Sequence, residues 1–339
     1  MRKELKNLLS PDLKEYYTLH GILLTVIFQD QAAYRSVSAI LKELSFLNQR
    51  KKKTALPWRS LTLTVKTGKQ RIPASFKTVM RSCRSKTRAM RRGNELIFTD
   101  GNCVFTVSSP EKKGRLHPGK ESTTYLRRFA LKQVIISGLM GLLRGSGLYP
   151  LHACGVTRGR HKLLILGNSG SGKSTVTLSL ILSGWNFLSD DLLLLQEKKQ
   201  GTLALCAETY LTFNPDLFER AGYAVNGTGL FTPLAGKEKI IDLGCAYPRQ
   251  SIGSFYPNNI VFLDITKNKK SRITPITGRL ALFKLINQSV TIMLGDSFAQ
   301  KNLDALNRLT KQSACFQLSL GRDLSRNPLE IKNLLSKFL

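Results

Sequence analysis

The sequence predicts an α/β protein in two parts: a smaller, basic α+β lobe followed by a larger α/β core. Three observations lead to this prediction. The glycine-rich segment GNSGSGKST at 167–175 lies between a predicted strand and a predicted helix, as loops that bind phosphate do in α/β proteins. Short apolar runs alternate with helical patterns after residue 148. Before residue 120, strand patterns with alternating polarity accompany one amphipathic helix.

The first part, residues 1–120, is interpreted as the basic α+β lobe. Its patterns predict a strand, a turn and an amphipathic helix within 16–46, a strand over 60–67, a hairpin over 94–109, and a linker or exposed loop over 110–122. The polar character of the last of these segments places the domain boundary at residue 120.

The second part, residues 121–339, is interpreted as the α/β core. It begins with a long predicted helix over 123–145. Strands are predicted over 148–157, 162–167, 186–195, 203–213, 237–243, 258–266 and 314–320, and helices over 173–184, 276–289, 299–312 and the C-terminal stretch from 327.

Charge distinguishes the two parts. The chain has a net charge of +30, and residues 1–150 contain 29 Lys and Arg against 9 Asp and Glu. Two basic clusters stand out, RKKK at 50–53 and the six cations of RSCRSKTRAMRR at 81–92. A surface of this kind attracts polyanions, although a solvated basic face explains the composition equally well. Without a recognisable nucleic-acid module, both interpretations stay open.

The chain lacks the usual marks of membrane or secreted proteins. Its longest apolar stretch, 134–143, is shorter than the roughly 18 residues of a membrane span and is followed by Arg144. The six cysteines are widely scattered and form no CxxC pair, which favours reduced thiols. We therefore expect a cytoplasmic protein with no membrane span.

The segment at 167–174 fits the pattern G-x-x-x-x-G-K-[ST] at every position. Its glycines allow a tight turn whose amides point at phosphate oxygens. We expect Lys173 to reach the β and γ phosphates of ATP, and Ser174 to be a ligand of Mg²⁺. The residues predicted to bind the nucleotide are Gly167, Asn168, Ser169, Gly170, Ser171, Gly172, Lys173, Ser174 and Thr175.

Two adjacent aspartates, Asp190 and Asp191, follow one predicted helix later at the head of the apolar run LLLL. Aspartate is disfavoured in strands and costly to bury, so a chemical role is expected. Because side chains alternate along a strand, the two carboxylates should face opposite ways and do different work, one near the metal and one as a base. His152, on the strand before the loop, would lie near the phosphates if the strands pair.

These three elements, LHACGV, GNSGSGKST and SDDLLLL, together resemble the HPr kinase/phosphorylase family. The chain looks more closely like the HPr-kinase-related proteins of bacterial peptide and polysaccharide gene clusters, some of which phosphorylate the C-terminal serine of lasso-peptide precursors. The resemblance is specific over 148–196. It implies the α/β core with a mixed sheet that this family shares with phosphoenolpyruvate carboxykinase.

The resemblance also implies roles for the site residues. Asp190 would be the general base, Asp191 a supporting carboxylate at the metal, and His152 a neighbour of the transferred phosphate. The family's Glu-x-Arg-Gly-type segment has no clear counterpart, since LFERAGY at 217–223 is only a faint echo. The resemblance therefore does not extend to HPr as the substrate or to the phosphorylase reaction. Glu208 and Lys237 fall where related proteins carry polar residues.

The combined hypothesis is a kinase that depends on ATP and Mg²⁺ and phosphorylates a hydroxyl, expected to be a serine of a small protein or precursor peptide. Two alternatives stay open: a nucleotide-switched binding protein whose basic lobe holds a polyanion, and an ordinary ATP or GTP hydrolase. Whether the chain forms a homo-oligomer is also open.

Overall fold

The computed structural model describes residues 13–50, 60–81, 86–119, 125–219, 230–231 and 238–336. The chain divides into two compact units. Unit 1 comprises Met1–Leu148 and Met293–Ala299, and unit 2 comprises Tyr149–Ile292 and Gln300–Leu339. Unit 1 extends past the predicted boundary at residue 120 because the long helix after it packs on the sheet of that unit.

Unit 1 is a mixed sheet with two helices. Its strands are β1 (Leu13–Leu19), β2 (Ile22–Phe28), β3 (Asn48–Arg50), β4 (Ser60–Val65), β5 (Lys77–Arg81), β6 (Arg88–Arg92), β7 (Glu95–Thr99), β8 (Val104–Ser108) and β9 (Lys113–His117), and its helices are α1 (Gln31–Lys42) and α2 (Tyr125–Leu143). Within the described residues the strand order is β3-β1-β2-β4-β9-β8-β7-β6-β5. The β2/β4 and β4/β9 pairs are parallel, and the others are antiparallel.

The local predictions for unit 1 are largely confirmed, with two corrections. The segment 110–122, predicted as a linker or exposed loop, contains β9, which pairs with β4 and β8 inside the sheet. The hairpin over 94–109 is β7 and β8, and the amphipathic helix is α1, capped by the Asp30 carboxylate. The single strand predicted before Asp30 is instead a hairpin of β1 and β2, joined at His20 and Gly21. The hairpin has a tight turn without the Asn-Gly or Asp-Gly signal that would reveal it in the sequence. The basic residues 51–53 and Arg84 lie outside the described residues.

The described residues of unit 2 form three sheets. Its strands are β10 (Tyr149–Leu151), β11 (Cys154–Arg158), β12 (His161–Leu166), β13 (Asn186–Ser189), β14 (Leu193–Lys198), β15 (Gly201–Cys206), β16 (Tyr210–Phe213), β17 (Leu230–Phe231), β18 (Lys239–Asp242), β19 (Ser254–Phe255), β20 (Asn259–Ile265), β21 (Arg272–Pro275) and β22 (Ala314–Leu320). Its helices are α3 (Lys173–Leu182), α4 (Pro215–Glu219), α5 (Leu243–Ala246), α6 (Gly278–Gln288), α7 (Ala299–Gln312), α8 (Arg322–Arg326) and α9 (Ile331–Leu335).

The largest sheet of unit 2 positions the candidate site. Its order is β13-β11-β12-β20-β22-β21, with β12, β20 and β22 parallel to one another and the other pairs antiparallel. Apolar residues of α3 and of the sheet form one buried cluster, and β14, α6 and α7 contribute to a second. Burial of this apolar surface is the main stabilising contribution. The prediction of a mixed α/β fold is confirmed.

The smaller sheets of unit 2 have the orders β10-β14-β15-β19 and β16-β18-β17. The two strands that flank the SDD motif, β13 and β14, belong to different sheets. Among the described residues, none of the helices combines the length and the apolar character that crossing a bilayer requires.

Candidate active site

The glycine-rich loop connects β12, which ends at Leu166, to α3, which begins at Lys173. This is the strand–loop–helix order that the sequence predicts. A Cβ atom on Gly167 would lie 2.8 Å from the Leu263 carbonyl oxygen, and Gly172 has φ +90°. Glycine is therefore needed at both positions, by close approach at the first and by backbone conformation at the second.

The loop presents backbone donors. Among the described residues, no acceptor is found for the amides of Lys173, Ser174 and Thr175, which form the first turn of α3. Unpaired amides and the positive end of the helix favour an anion at this position. The Ser171 amide donates to the Asn168 carbonyl oxygen at 3.0 Å. Of the remaining loop residues, Ser169 and Gly170 are exposed.

Lys173 is folded against the loop. Its ammonium group donates to the Gly167 carbonyl oxygen at 2.8 Å, and the side chain is buried. The same nitrogen lies 3.9 Å from Oδ1 of Asp191. The cation is thus held between the loop and the aspartate pair.

Asp190 and Asp191 occupy a break between two strands, and the prediction of one continuous strand over them is wrong. β13 ends at Ser189 and β14 begins at Leu193. The Asp190 amide donates to the Glu208 carbonyl oxygen at 2.9 Å, and Asp191 has φ +61°. A left-handed conformation suits aspartate better than most residues. The two carboxylates separate because the chain turns here, whereas we expected strand alternation to separate them.

The Asp190 carboxylate is 2% exposed and accepts two hydrogen bonds. Ser174 Oγ donates to Oδ2 at 3.0 Å, and Cys154 Sγ donates to Oδ1 at 2.7 Å. Burial raises the pKa of Asp190 to about 7, and the neighbouring charge of Asp191 adds to this shift. The hydrogen bonds from Cys154 and Ser174 and the charge of Lys173 act in the opposite direction.

The Asp191 carboxylate is 49% exposed. His152 Nε2 lies 3.4 Å from its Oδ1 atom. His152 stands between β10 and β11, which belong to different sheets, so the single strand predicted over 148–157 is also broken. The His152 amide donates to the Gln288 carbonyl oxygen at 3.1 Å, and this hydrogen bond holds the short segment between β10 and β11 in place.

The site therefore brings together Lys173, Ser174, Asp190, Asp191 and His152, all predicted from the sequence. The hydroxyl of Ser174 and the Asp190 carboxylate offer adjacent oxygen atoms of the kind that Mg²⁺ prefers. No group of three or more His, Cys, Asp or Glu residues suited to a metal ion occurs among the described residues.

Cys154 belongs to the site although the sequence did not single it out. It lies two residues after His152, at the start of β11. This strand pairs with β13, and Gly155, the residue after Cys154, lies opposite Ser189. The available signal in the sequence was the position of Cys154, a polar residue two positions from His152. Glu208 contacts Asp190 through its backbone, because its carbonyl oxygen accepts the Asp190 amide at 2.9 Å, while its own amide donates to the Leu192 carbonyl oxygen at 3.2 Å. Lys237 lies outside the described residues, as does most of the faint signature at 217–223.

No protein-family model and no curated protein sequence matches this chain. Among solved structures, the chain is similar to the HPr(Ser) kinase/phosphatase from Coxiella burnetii, with 15% sequence identity and a TM-score of 0.29. The match covers 56% of this chain and 97% of that chain. A likeness at this TM-score carries no functional information, so the function is proposed from the site's own residues.

Proposed function

We propose that the protein is a kinase that transfers a phosphoryl group from ATP to a hydroxyl, namely a serine of a small protein or precursor peptide. The observation that carries the proposal is the division of the aspartate pair: Asp190 is buried against Ser174, and Asp191 is half exposed beside His152. A metal ligand and a proton acceptor on separate carboxylates are what transfer to a hydroxyl needs, and the labelled product distinguishes this transfer from hydrolysis.

The residues fit a bound ATP·Mg²⁺. The amides of the first turn of α3 and the Lys173 ammonium would hold the phosphates, and Ser174 with Asp190 would hold the metal. Bound there, ATP supplies the phosphoryl group and Mg²⁺ neutralises its charge. The Lys173 side chain would exchange its hydrogen bond to the Gly167 carbonyl oxygen for one to a phosphate.

In this proposal Asp191 takes the proton from the acceptor hydroxyl. Its carboxylate is accessible, and His152 Nε2 at 3.4 Å orients it. Asp190 is less suited to this step, because its two oxygens already accept hydrogen bonds and it is 2% exposed. The proposed roles are thus the reverse of those that the family resemblance implies, with Asp191 as the base and Asp190 at the metal.

The test uses the full chain with γ-labelled ATP, Mg²⁺ and peptides that carry one serine, threonine or tyrosine each. We expect label on serine peptides, and its loss in Lys173→Ala. Thr212→Ala, at an exposed position of β16, serves as a control variant with unchanged transfer. Release of labelled phosphate with no labelled peptide would identify a hydrolase and reject the kinase.

A further inference from the structure

An apolar cavity of about 150 Å³ adjoins the glycine-rich loop. It is lined by Gly172, Thr175, Ile265, Thr266 and Leu320, among others. Gly172 ends the loop and Thr175 directly follows Ser174, so the cavity begins where the phosphate-binding amides end. An engineered cavity of about this volume, lined by apolar side chains, holds a benzene ring.

The position of the cavity follows from the sheet. Ile265 and Leu320 end β20 and β22, which run parallel to the loop-bearing strand β12. Ligands of α/β sheets bind outside the carboxyl ends of parallel strands. Ile265 also keeps 58% of its surface exposed, which is unusual for a large apolar side chain next to a buried cluster.

We infer that this cavity holds the purine base of the nucleotide, an inference that rests on the proposed function. The polar groups at the strand ends that line it are already engaged. The Thr266 amide and hydroxyl both donate to the Leu320 carbonyl oxygen, at 2.8 and 3.4 Å, and the Gly321 amide donates to Ser271 Oγ at 2.8 Å. The base is therefore held by apolar contact, and ATP and GTP bind within about tenfold of each other.

The experiment compares two ligands in the presence of Mg²⁺: the β,γ-imido analogue of ATP, and inorganic tripolyphosphate, which has no base. Calorimetry of the full chain should show that Ile265→Glu weakens the ATP analogue about tenfold and leaves tripolyphosphate unchanged. Phe283→Glu is the matched control, because Phe283 is 63% exposed and does not line the cavity.

Equal affinity of the wild-type chain for both ligands, or an unchanged analogue affinity in Ile265→Glu, would overturn the base site and leave the kinase intact. If neither ligand binds the wild-type chain, both the proposed function and the base site are wrong. Thr266→Phe, which fills the cavity from the residue that follows β20, gives the same comparison if Ile265→Glu does not fold.

Unit 1 carries a second, independent feature: a cavity of about 700 Å³ lined by cations. Arg35 of α1, Lys69 after β4, Arg88 of β6 and Arg127 of α2 all line it. None of these four forms an ion pair within the part of the chain that the structure describes. Four separate elements thus bring unpaired positive charges to one concave surface, which favours an anionic ligand.

The two other charged residues of this cavity are already engaged. Arg128 pairs with Glu43. The Asp100 carboxylate accepts the amides of Asn102 and Cys103, at 2.9 and 2.8 Å. Neither neutralises the four cations.

We infer that this cavity binds an acidic peptide segment. Its wall includes the apolar Ile40, Val104 and Leu131, which inorganic polyphosphate has no groups to contact. The side-chain oxygen of Gln70, which lines the cavity, is buried and has no hydrogen-bond partner among the described residues. A peptide N–H can donate to this oxygen, whereas phosphate groups cannot. The lining has no aromatic side chain from the described residues on which a nucleic-acid base could stack.

The test measures binding of a fluorescent peptide of alternating Glu and Leu to the full chain. We expect the triple variant Arg35→Gln, Arg88→Gln, Arg127→Gln to bind about tenfold more weakly than the wild type. The matched control, Lys14→Gln, Lys77→Gln, Arg81→Gln, removes the same charge from exposed positions outside the cavity. It should bind within about twofold of the wild type.

Equal losses in both triple variants would overturn the site and indicate diffuse attraction. Tighter binding of inorganic polyphosphate or a single-stranded oligonucleotide through the same arginines would overturn the peptide assignment. Arg88 is half-buried, so the double variant of the exposed Arg35 and Arg127 repeats the comparison if the triple variant is unstable.

Discussion

The hydroxyl of Ser174 donates a hydrogen bond to the carboxylate of Asp190 at 3.0 Å, which joins the start of α3 to the end of β13. Both oxygens are of the type that binds Mg²⁺, and they lie beside the unpaired amides of α3. The proposed function therefore assigns Asp190 to the metal. Asp191 is the next residue in the same segment between β13 and β14, and its carboxylate faces His152 instead.

The two aspartates should respond differently to amide substitution. We expect Asp190→Asn to require about tenfold more Mg²⁺ for half-maximal transfer, since it loses a charged ligand. We expect Asp191→Asn to lower kcat by about 10²–10⁴-fold at an unchanged Mg²⁺ requirement, since it loses a proton acceptor. Initial rates measured as a function of Mg²⁺ concentration separate the two effects.

The reverse pattern has a clear meaning. If Asp190→Asn loses kcat at saturating Mg²⁺ while Asp191→Asn shifts the Mg²⁺ requirement, the roles implied by the family resemblance are right. A threonine substitution at Ser174, which keeps a hydroxyl, is the control and should retain the wild-type Mg²⁺ requirement within a few-fold.

The stability of the metal-free protein should depend on the ionisation of Asp190. Burial raises the pKa of this carboxyl to about 7, whereas in the unfolded chain it titrates near its usual value of about 4. Between these values the folded state holds a proton that the unfolded state has lost. The free energy of unfolding therefore falls as pH rises from about 4 to about 7, and this contribution is constant at higher pH.

Asp190→Asn removes this titration while keeping the shape of the side chain. Urea denaturation of the wild type and the variant at pH 5 and pH 8, without added metal, should show a smaller difference between the two pH values in the variant. Parallel pH dependences in the two proteins would show that Asp190 ionises normally in the folded state.

Cys154 should contribute to stability as a hydrogen-bond donor. Burial raises the pKa of its thiol well above the usual value, so the sulfur keeps its proton and donates to Asp190 at 2.7 Å. Cys154→Ala should lower the free energy of unfolding by about 1–3 kcal/mol, because one Asp190 oxygen loses a buried donor. Cys154→Ser, which keeps a donor, should lose less.

Cys315→Ala is a suitable comparison for this effect. Cys315 is also buried, but its sulfur lies 3.5 Å from the Ser313 carbonyl oxygen and no carboxylate depends on it. If urea denaturation shows the same loss for Cys154→Ser as for Cys154→Ala, sulfur packing and not donation to Asp190 stabilises this position.

Local pattern was enough to predict the strand, loop and helix around residues 167–182, because glycines and apolar periodicity act over a few residues. It failed at Asp190 and Asp191, where an apolar run suggested one strand. That run is divided between two sheets, β13 in one and β14 in another. Which sheet a strand joins depends on distant partners such as β11 for β13 and β10 for β14, and these are not visible in the run itself.

The same limit explains the missed contacts of Cys154 and Arg144. Cys154 meets Asp190 only through the pairing of β11 with β13. In the sequence, Arg144 only marked the end of an apolar stretch, and no partner for its charge was visible. It is instead fully buried, because a segment about 150 residues later supplies its partner.

The last prediction concerns the buried ion pair of Arg144 with Asp296. The guanidinium of Arg144 donates to both oxygens of Asp296, at 2.7 and 2.6 Å, and the side chains are 0% and 1% exposed. This pair ties the segment Met293–Ala299 to unit 1, although the residues on either side of the segment belong to unit 2. A buried pair of this kind is costly to break from one side, since the remaining charge stays buried without a partner.

Asp296→Leu alone should therefore lower the free energy of unfolding by about 3–5 kcal/mol, as should Arg144→Met alone. The double variant removes both charges and should lose less than the sum of the two single losses, because no unpaired charge remains. Urea denaturation of the four proteins gives the coupling energy directly. Additive losses would mean that the two charges do not depend on each other, and that apolar contacts of the segment hold it in unit 1.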